Sequence, residues 1–120
     1  MITKYLAARI RSFGYAFRGV WLMILTQPHP QLHALATIAA LIAGVLLHLR
    51  RWEWVAILLC IGMVWVAEAL NSALEFLADE VSLEKRERIR NAKDVAAGGV
   101  LIAALISVGV AAMVFCNHLH

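Results

Sequence analysis

Three stretches of this chain are long and apolar enough to cross a lipid bilayer. Residues 31–49 contain no Asp, Glu, Lys or Arg, and residues 52–77 contain only three charged side chains, all of them acidic. Residues 93–117 are charged only at their first two positions. A helix of about 20 such residues spans the roughly 30 Å hydrocarbon core of a bilayer. We therefore predict a transmembrane helix in each of the three stretches.

The overall composition excludes a soluble globular enzyme and a disordered chain. Of the 120 residues, 62% are hydrophobic and 16% are charged, and the mean hydropathy is +0.77. A typical soluble domain is about 45–50% apolar and about 25% charged. A soluble protein this small has too little interior to bury so many apolar side chains. We expect residues 1–120 to form a single all-α integral membrane domain.

The basic residues, cysteines and histidines predict neither a nucleic-acid partner nor a metal site built from Cys or His. The formal net charge of +3 suits an anionic lipid surface. The chain has no compact basic patch with interleaved aromatic residues, so we expect no nucleic-acid partner. Cys60 and Cys116 lack the spacing of metal ligands. His29 and His33 are four residues apart, but Pro30 lies between them, so we expect no zinc site.

A helix that lies on the membrane surface is predicted for residues 1–26. Apolar side chains recur there at steps of three and four residues and form one face: Leu6, Ile10, Phe13, Phe17, Trp21 and Ile24. Basic side chains lie on the opposite side: Lys4, Arg11 and Arg18. This pattern is typical of a helix in the bilayer interface, and packing against a partner protein is the alternative. Pro28 and Pro30 separate this helix from the first span.

The distribution of basic residues predicts the orientation of the chain. Lys and Arg are concentrated in the N-terminal helix and in residues 78–92, between the second and third spans, whereas the C-terminal tail has none. By the positive-inside rule, we place the N-terminus and residues 78–92 in the cytoplasm and the C-terminus outside. Arg50 and Arg51, between the first two spans, run against this placement. We expect the tail histidines, His118 and His120, to be solvated.

The second span carries the most informative residues. Glu68, Asn71, Glu75 and Asp79 follow one another at intervals of three, four and four residues, which places them on one face of a helix. Carboxylates inside a membrane span are costly and usually mark a functional site. Hydrogen bonds between the helices of an oligomer are the structural alternative, but two like charges this close make burial more costly still. A hard cation such as Mg²⁺, which binds oxygen ligands, would offset that cost.

A second group of charged residues lies where the third span begins. On their own, Lys93 and Asp94 resemble an ordinary charged pair at the edge of a bilayer. The acidic face ends at the same membrane depth, because the second span ends where the third begins. A magnesium nucleotide needs carboxylate oxygens for the metal and a cation for the phosphates, and transfer to a hydroxyl needs a general base. The sequence contains no Walker A, protein-kinase or Gly-x-Ser-x-Gly motif.

These motifs resemble those of the prokaryotic diacylglycerol kinase family, which includes undecaprenol kinases. The resemblance is carried by Gly14-Tyr15-Ala16-Phe17-Arg18-Gly19, Glu68-Ala-Leu-Asn71-Ser72-Ala-Leu-Glu75, Asp79 and Ala92-Lys93-Asp94. It implies a homotrimer in which neighbouring subunits share each active site. It also implies that phosphate passes from MgATP to a lipid alcohol at the cytoplasmic face of the bacterial inner membrane. That alcohol is either diacylglycerol or undecaprenol.

The family resemblance also implies a role for each matched residue. Glu68 would be the general base that accepts the proton of the lipid hydroxyl, and Asn71 would organise the site. Glu75 would hold both the metal and the nucleotide. Further nucleotide contacts, with Lys93 at the phosphates, would come from Tyr15, Asp79, Glu84, Lys93 and Asp94. Gln27 stands where the family usually has a second metal-binding Glu; its amide oxygen can bind Mg²⁺ but adds no negative charge.

Two other functions are compatible with the sequence. A small oligomeric transporter or ion pathway would use Glu68 and Glu75 as a proton or cation relay. A structural membrane subunit would leave the acidic face unexplained. Lys93, Asp94 and the amphipathic N-terminus favour the kinase, because transport requires neither the charged pair nor a surface helix.

Overall fold

Four helices make up the computed structural model, which describes residues 1–119. They are α1 (Ile2–Thr26), α2 (Pro28–Leu46), α3 (Arg51–Val81) and α4 (Glu87–Cys116). The last three are each long and apolar enough to cross a membrane. The predicted all-α architecture with three apolar helices is therefore confirmed.

The first apolar helix is shifted relative to the predicted span at 31–49. Helix α2 begins at Pro28, because proline is well suited to the first position of a helix. It ends at Leu46, and His48 then adopts a left-handed conformation with a φ of 54° as the chain reverses. Gln27, which is extended, forms the break between α1 and α2.

The charged segment between the second and third spans is largely helical. Helix α3 continues to Val81 and α4 begins at Glu87, so only residues 82–86 of the predicted segment 78–92 lie outside a helix. Ala, Glu, Lys and Arg have high helix propensity, so both helices continue beyond their apolar sections. Asp79 therefore lies in the same helix as the rest of the acidic face.

Helix α1 has the extent predicted for the N-terminal helix and packs loosely on the others. It contacts α2 and α3, and among its residues Met23 alone is buried. Its apolar face is open: Phe13, Phe17 and Trp21 are 67%, 74% and 64% exposed. An uncovered apolar face is typical of a helix that contacts lipid. The position of α1 on the membrane surface stays a prediction.

Helices α3 and α4 form an antiparallel hairpin, and α2 packs against α3. A small core of Leu49, Ile57 and Val114 lies between the helices near the turn that joins α2 to α3. Gly44 on α2 allows the ring of Trp54 to approach the helix backbone. A Cβ atom at position 44 would lie only 2.7 Å from the Cη2 atom of that ring.

Polar contacts also join the helices within their apolar sections. The indole N–H of Trp65 on α3 donates a hydrogen bond to Thr37 Oγ1 on α2, at 2.9 Å. The Thr37 hydroxyl in turn donates to the backbone carbonyl of His33, at 2.7 Å. The Ser107 hydroxyl on α4 donates to the carbonyl of Cys60 on α3, at 3.4 Å. Such bonds stabilise helix pairs in a bilayer, because no water is present there to bond a polar group.

A buried carboxylate with partners lies where α3 begins and α4 ends, which we call the far end of the bundle. Glu53 is 2% exposed, and its Oε1 atom accepts a hydrogen bond from the backbone N–H of Arg50 at 3.0 Å. The Nε2 atom of His118 lies 3.0 and 2.9 Å from the two carboxylate oxygens. The prediction that His118 is solvated is wrong, because the end of α4 packs beside the start of α3. His120 lies outside the described residues.

The single chain has little interior. In the most apolar section of each long helix, only 11% of α2, 22% of α3 and 11% of α4 is buried. The smallest dimension of the molecule is 21 Å. Most apolar side chains of these helices are therefore available to lipid or to other subunits, as expected for a multi-pass membrane protein.

Replacing Gly44 with Ala is expected to destabilise the fold, because the new methyl group would collide with the Trp54 ring. Overpacking typically costs about 1–3 kcal/mol, against a gain of roughly 0.8–1 kcal/mol in helix propensity. Thermal unfolding in detergent, followed by circular dichroism, should show a lower midpoint. Gly62→Ala is the matched control, since a Cβ atom there meets nothing within 4 Å. A Gly44→Ala midpoint at or above the Gly62→Ala midpoint would contradict the prediction.

Candidate functional site

The acidic face lies along one side of α3 and runs from the interior to solvent. Glu68 and Asn71 are buried, at 1% and 8% exposure, and Ser72 is buried beside them. Glu75 is half-buried and Asp79 is exposed. The face therefore leads from a desolvated carboxylate to a solvated one. It ends where α3 ends and α4 begins, which we call the charged end of the bundle.

The buried members of this face lack hydrogen-bond partners. Among the described residues, neither carboxylate oxygen of Glu68 accepts a hydrogen bond, and the same holds for Asn71 Oδ1. The Nε2 atom of His33, on α2, lies 2.9 Å from Glu68 Oε1, but the two groups are not aligned as a hydrogen bond. Buried polar groups in folded proteins are nearly always paired, so an unpaired set calls for a ligand or a second chain.

At the charged end, a lysine and an aspartate join the two helices of the hairpin. The Nζ atom of Lys93 on α4 donates a hydrogen bond to Asp79 Oδ1 on α3, at 2.9 Å. Asp94, the sequence neighbour of Lys93, lies instead 4.0 Å from the Nε atom of Arg90 on its own helix. The Lys93 and Asp79 side chains are 35% and 54% exposed. Water and ions therefore reach this pair, and its contribution to stability is small.

An open cavity of about 620 Å³ lies at the charged end. Its volume is within the range of small-molecule sites. The charged side chains of its wall have both signs: Asp79, Glu84, Lys85, Arg86, Glu87, Arg90, Lys93 and Asp94. Four of the residues that the family resemblance assigns to the nucleotide are therefore brought together here, namely Asp79, Glu84, Lys93 and Asp94.

The other predicted site residues do not line this cavity. Glu68 lies about 16 Å from Asp79 along the α3 axis, at 1.5 Å per residue. Tyr15 is 69% exposed on α1, and Gln27 is half-buried between α1 and α2. In residues 1–119, no three His, Cys, Asp or Glu side chains lie close enough to hold a metal ion together. One chain thus carries the parts of the site at separate places.

His33 is the residue near Glu68 that sequence reasoning misses. Its spacing from His29 suggests only a zinc site, which Pro30 makes unfavourable. Its contact, Glu68, lies on another helix, and no local pattern connects the two. Helices α2 and α3 are antiparallel, and the hydrogen bond between Thr37 and Trp65 joins two facing positions. One turn further along, the same two faces place His33 next to Glu68.

Comparison with known proteins agrees with the sequence motifs. Residues 14–115 match the family described as prokaryotic diacylglycerol kinase. The chain is similar to an undecaprenol kinase of Bacillus subtilis, with 38% identity over 109 residues, which is 91% of this chain and 89% of that protein. It is 38% identical over 98 residues to a diacylglycerol kinase of Synechocystis, covering 81% of this chain and 56% of that protein. Identity to a diacylglycerol kinase of Escherichia coli is 26% over 99 residues, covering 82% and 81%.

Replacing Glu68 with Met should stabilise the folded protein. The substitution removes a buried carboxylate that accepts no hydrogen bond from the described part of the chain, and such an unsatisfied group costs about 1–3 kcal/mol. The midpoint of thermal unfolding in detergent should therefore rise. Glu53→Met is the matched control: that carboxylate bonds to Arg50 and contacts His118, so its loss should lower the midpoint. A shift in the same direction for both variants would count against this account of Glu68.

Proposed function

The chain belongs to the prokaryotic diacylglycerol kinase family, and from this premise we propose a specific reaction. The protein, a lipid kinase of the diacylglycerol kinase type, transfers the γ-phosphoryl group of ATP to a membrane lipid hydroxyl at the cytoplasmic face of the bacterial inner membrane. The observation that carries the proposal is Glu68, a buried carboxylate without a hydrogen-bond partner in residues 1–119, on the helix face that leads to a cavity with both basic and acidic side chains in its wall. Phosphoryl transfer to an alcohol requires a group that accepts the proton and a place that holds the phosphates.

Glu68 acts as the general base. As the lipid hydroxyl oxygen attacks the γ-phosphorus, the hydroxyl proton passes to a Glu68 carboxylate oxygen. The new oxygen–phosphorus bond forms while the bond from the γ-phosphorus to its bridging oxygen breaks, and ADP leaves with that electron pair. Asn71 lies one turn away on the same face, and its unpaired Oδ1 atom is available to orient the reacting groups. Catalysis of this kind depends mainly on positioning and on charge stabilisation.

The cavity at the charged end holds the nucleotide. Lys93 contacts the phosphates, and its bond to Asp79 is exposed enough to be exchanged for a phosphate oxygen. Lys85, Arg86 and Arg90 add positive charge around the same space. Asp79, Glu84 and Asp94 supply hydrogen-bond acceptors for the nucleotide, and Tyr15 adds a contact from α1.

Glu75 and Gln27 are the residues that would hold Mg²⁺. Their carboxylate and amide oxygens are the hard donors that this ion prefers, and Mg²⁺ usually binds through one or two carboxylates together with substrate phosphates. Glu75 fits this requirement because it is half-buried on α3 between the buried base and the open cavity. When bound, the ion would neutralise charge on the phosphates.

A homotrimer completes the site. Within one chain, Tyr15 and Gln27 lie outside the cavity that contains Lys93, and the apolar faces of the long helices are uncovered. Contacts between neighbouring subunits would bury those faces and bring α1 of one subunit towards α3 and α4 of another. Each active site would then contain residues from two chains.

The arrangement of charges favours a kinase over an ion pathway. On α3, no charged residue lies between Glu53 at the far end and Glu68, so a charged path would cross only part of the membrane. Glu53 is also bonded to its own neighbours. Diacylglycerol and undecaprenol are both candidate acceptors, since relatives with each name are 38% identical to this chain.

Transfer of phosphate from radiolabelled ATP tests the proposal. Purified protein in detergent or bilayers would be offered diacylglycerol and undecaprenol in parallel, with and without Mg²⁺. We expect a phosphorylated lipid whose formation requires Mg²⁺ and falls by about 10² to 10⁴-fold in Glu68→Gln, the range of general-base catalysis. Glu80→Gln is the matched control, because Glu80 is exposed on the same helix and lies outside the cavity.

Two results would contradict the proposal. Full activity of Glu68→Gln would exclude Glu68 as the base. If neither the folded protein nor its Gln27→Glu variant phosphorylated either lipid, the kinase reaction would be excluded, and proton and cation flux would be measured instead.

Gln27→Glu is expected to reduce the Mg²⁺ concentration that gives half-maximal activity. The substitution adds a negative charge at the proposed metal site, and Mg²⁺ binds carboxylates more strongly than amides. A Mg²⁺ titration of the initial rate measures the effect, with about a 10-fold shift expected. Gln31→Glu is the control, because Gln31 is exposed and its amide already bonds to the Ile24 carbonyl. Equal titrations for both variants would remove Gln27 from the metal site.

A further inference from the structure

His33 faces the carboxylate to which the proposed function assigns proton transfer. Its Nε2 atom lies 2.9 Å from Glu68 Oε1, and the two side chains are 19% and 1% exposed. Among the ion pairs in residues 1–119, this one alone involves Glu68. Within one chain, His33 is therefore the main polar group in contact with the Glu68 carboxylate.

Hydrogen bonds hold the helix backbone at His33 in place beside α3. The Thr37 hydroxyl donates to the carbonyl of His33 at 2.7 Å, and the same Thr37 oxygen accepts the Trp65 indole N–H at 2.9 Å. Trp65 lies on α3, three residues before Glu68. Helix α3, which carries Glu68, is thus bonded to α2, which carries His33, about one turn away from the contact between these two residues. This register keeps His33 beside Glu68.

The contact involves one carboxylate oxygen and leaves the other available. Nε2 approaches Oε1, whereas Oε2 accepts no hydrogen bond from the described residues. A general base needs such a free oxygen within reach of the proton that it removes. Its orientation must also be fixed, since small misplacements of reacting groups reduce rates substantially.

We propose that His33 is a positioning residue for Glu68. An N–H at its Nε2 atom binds Oε1, holds the carboxylate in one rotamer and leaves Oε2 to accept the lipid hydroxyl proton. Catalytic hydrogen bonds are often poorly aligned before the substrate binds and improve in the complex, and rotation of the imidazole ring would align this one. The inference rests on the proposed role of Glu68 as the base.

Substitutions that keep or remove the N–H group test the inference. His33→Leu removes the donor and fills the site with an apolar side chain suited to a membrane. We expect kcat to fall about 10 to 100-fold, by analogy with the loss of residues that orient metal-binding side chains through a hydrogen bond. The KM for ATP should stay within about twofold of the original, because His33 does not line the nucleotide cavity. His33→Gln, whose amide N–H can reach the same oxygen, should recover most of the lost kcat.

Two controls separate positioning from packing. His29→Leu makes the same change one turn earlier in α2, at a side chain that is exposed, and should leave kcat unchanged. In the Glu68→Gln background, His33→Leu should cause little further loss, because residues that act through one another are not additive. If His33→Leu does not fold, as judged by gel filtration and thermal unfolding, His33→Met replaces it as the variant without a donor.

The measured kcat values distinguish a failure of the role of His33 from a failure of the role of Glu68. A kcat of His33→Leu equal to that of the original protein would overturn the inference, and so would a His33→Gln variant as slow as His33→Leu. Independent, multiplicative losses in the double variant would show that His33 acts elsewhere. If Glu68→Gln keeps full activity, the proposed function fails; if Glu68→Gln is inactive while His33→Leu is fully active, the role of His33 alone is wrong.

Discussion

The burial of carboxylates inside a membrane helix is the constraint that most shapes this structure. Two buried glutamates lie on α3, and they differ in how they are accommodated. Glu53, at the far end, bonds to the Arg50 backbone and contacts His118. Within residues 1–119, Glu68 receives only an unaligned contact from His33. The first arrangement stabilises the bundle, whereas the second leaves a buried carboxylate unsatisfied at a cost in stability.

Much of the fold follows from simple features of the sequence. The lengths of the apolar stretches require three membrane helices, because a polypeptide backbone in lipid must satisfy its own hydrogen bonds. The spacing of Glu68, Asn71, Glu75 and Asp79 places them on one face, and the structure has them in this order from buried to exposed. These features are local, so they can be inferred without knowing how the helices pack.

Contacts between helices could not be inferred in the same way. Lys93 bonds to Asp79 rather than forming a pair with Asp94, and His118 contacts Glu53 rather than solvent. Each pairing depends on the register and rotation of two helices, which residues far apart in the chain determine together. Helices α3 and α4 also continue beyond the predicted spans at the charged end, which the apolar pattern alone does not indicate.

The hairpin of α3 and α4 is joined at both of its ends, by Lys93 and Asp79 at one and by His118 and Glu53 at the other. The boundary between α2 and this pair is less closely packed than the boundary between α3 and α4. A cavity of about 310 Å³ already lies along that boundary, with Ala36, Ala40 and Ala104 among its lining residues. Small side chains leave room there for a hydrocarbon chain. The wall of this cavity is mainly apolar, so the cavity suits the acyl chain of a neighbouring lipid better than it suits water.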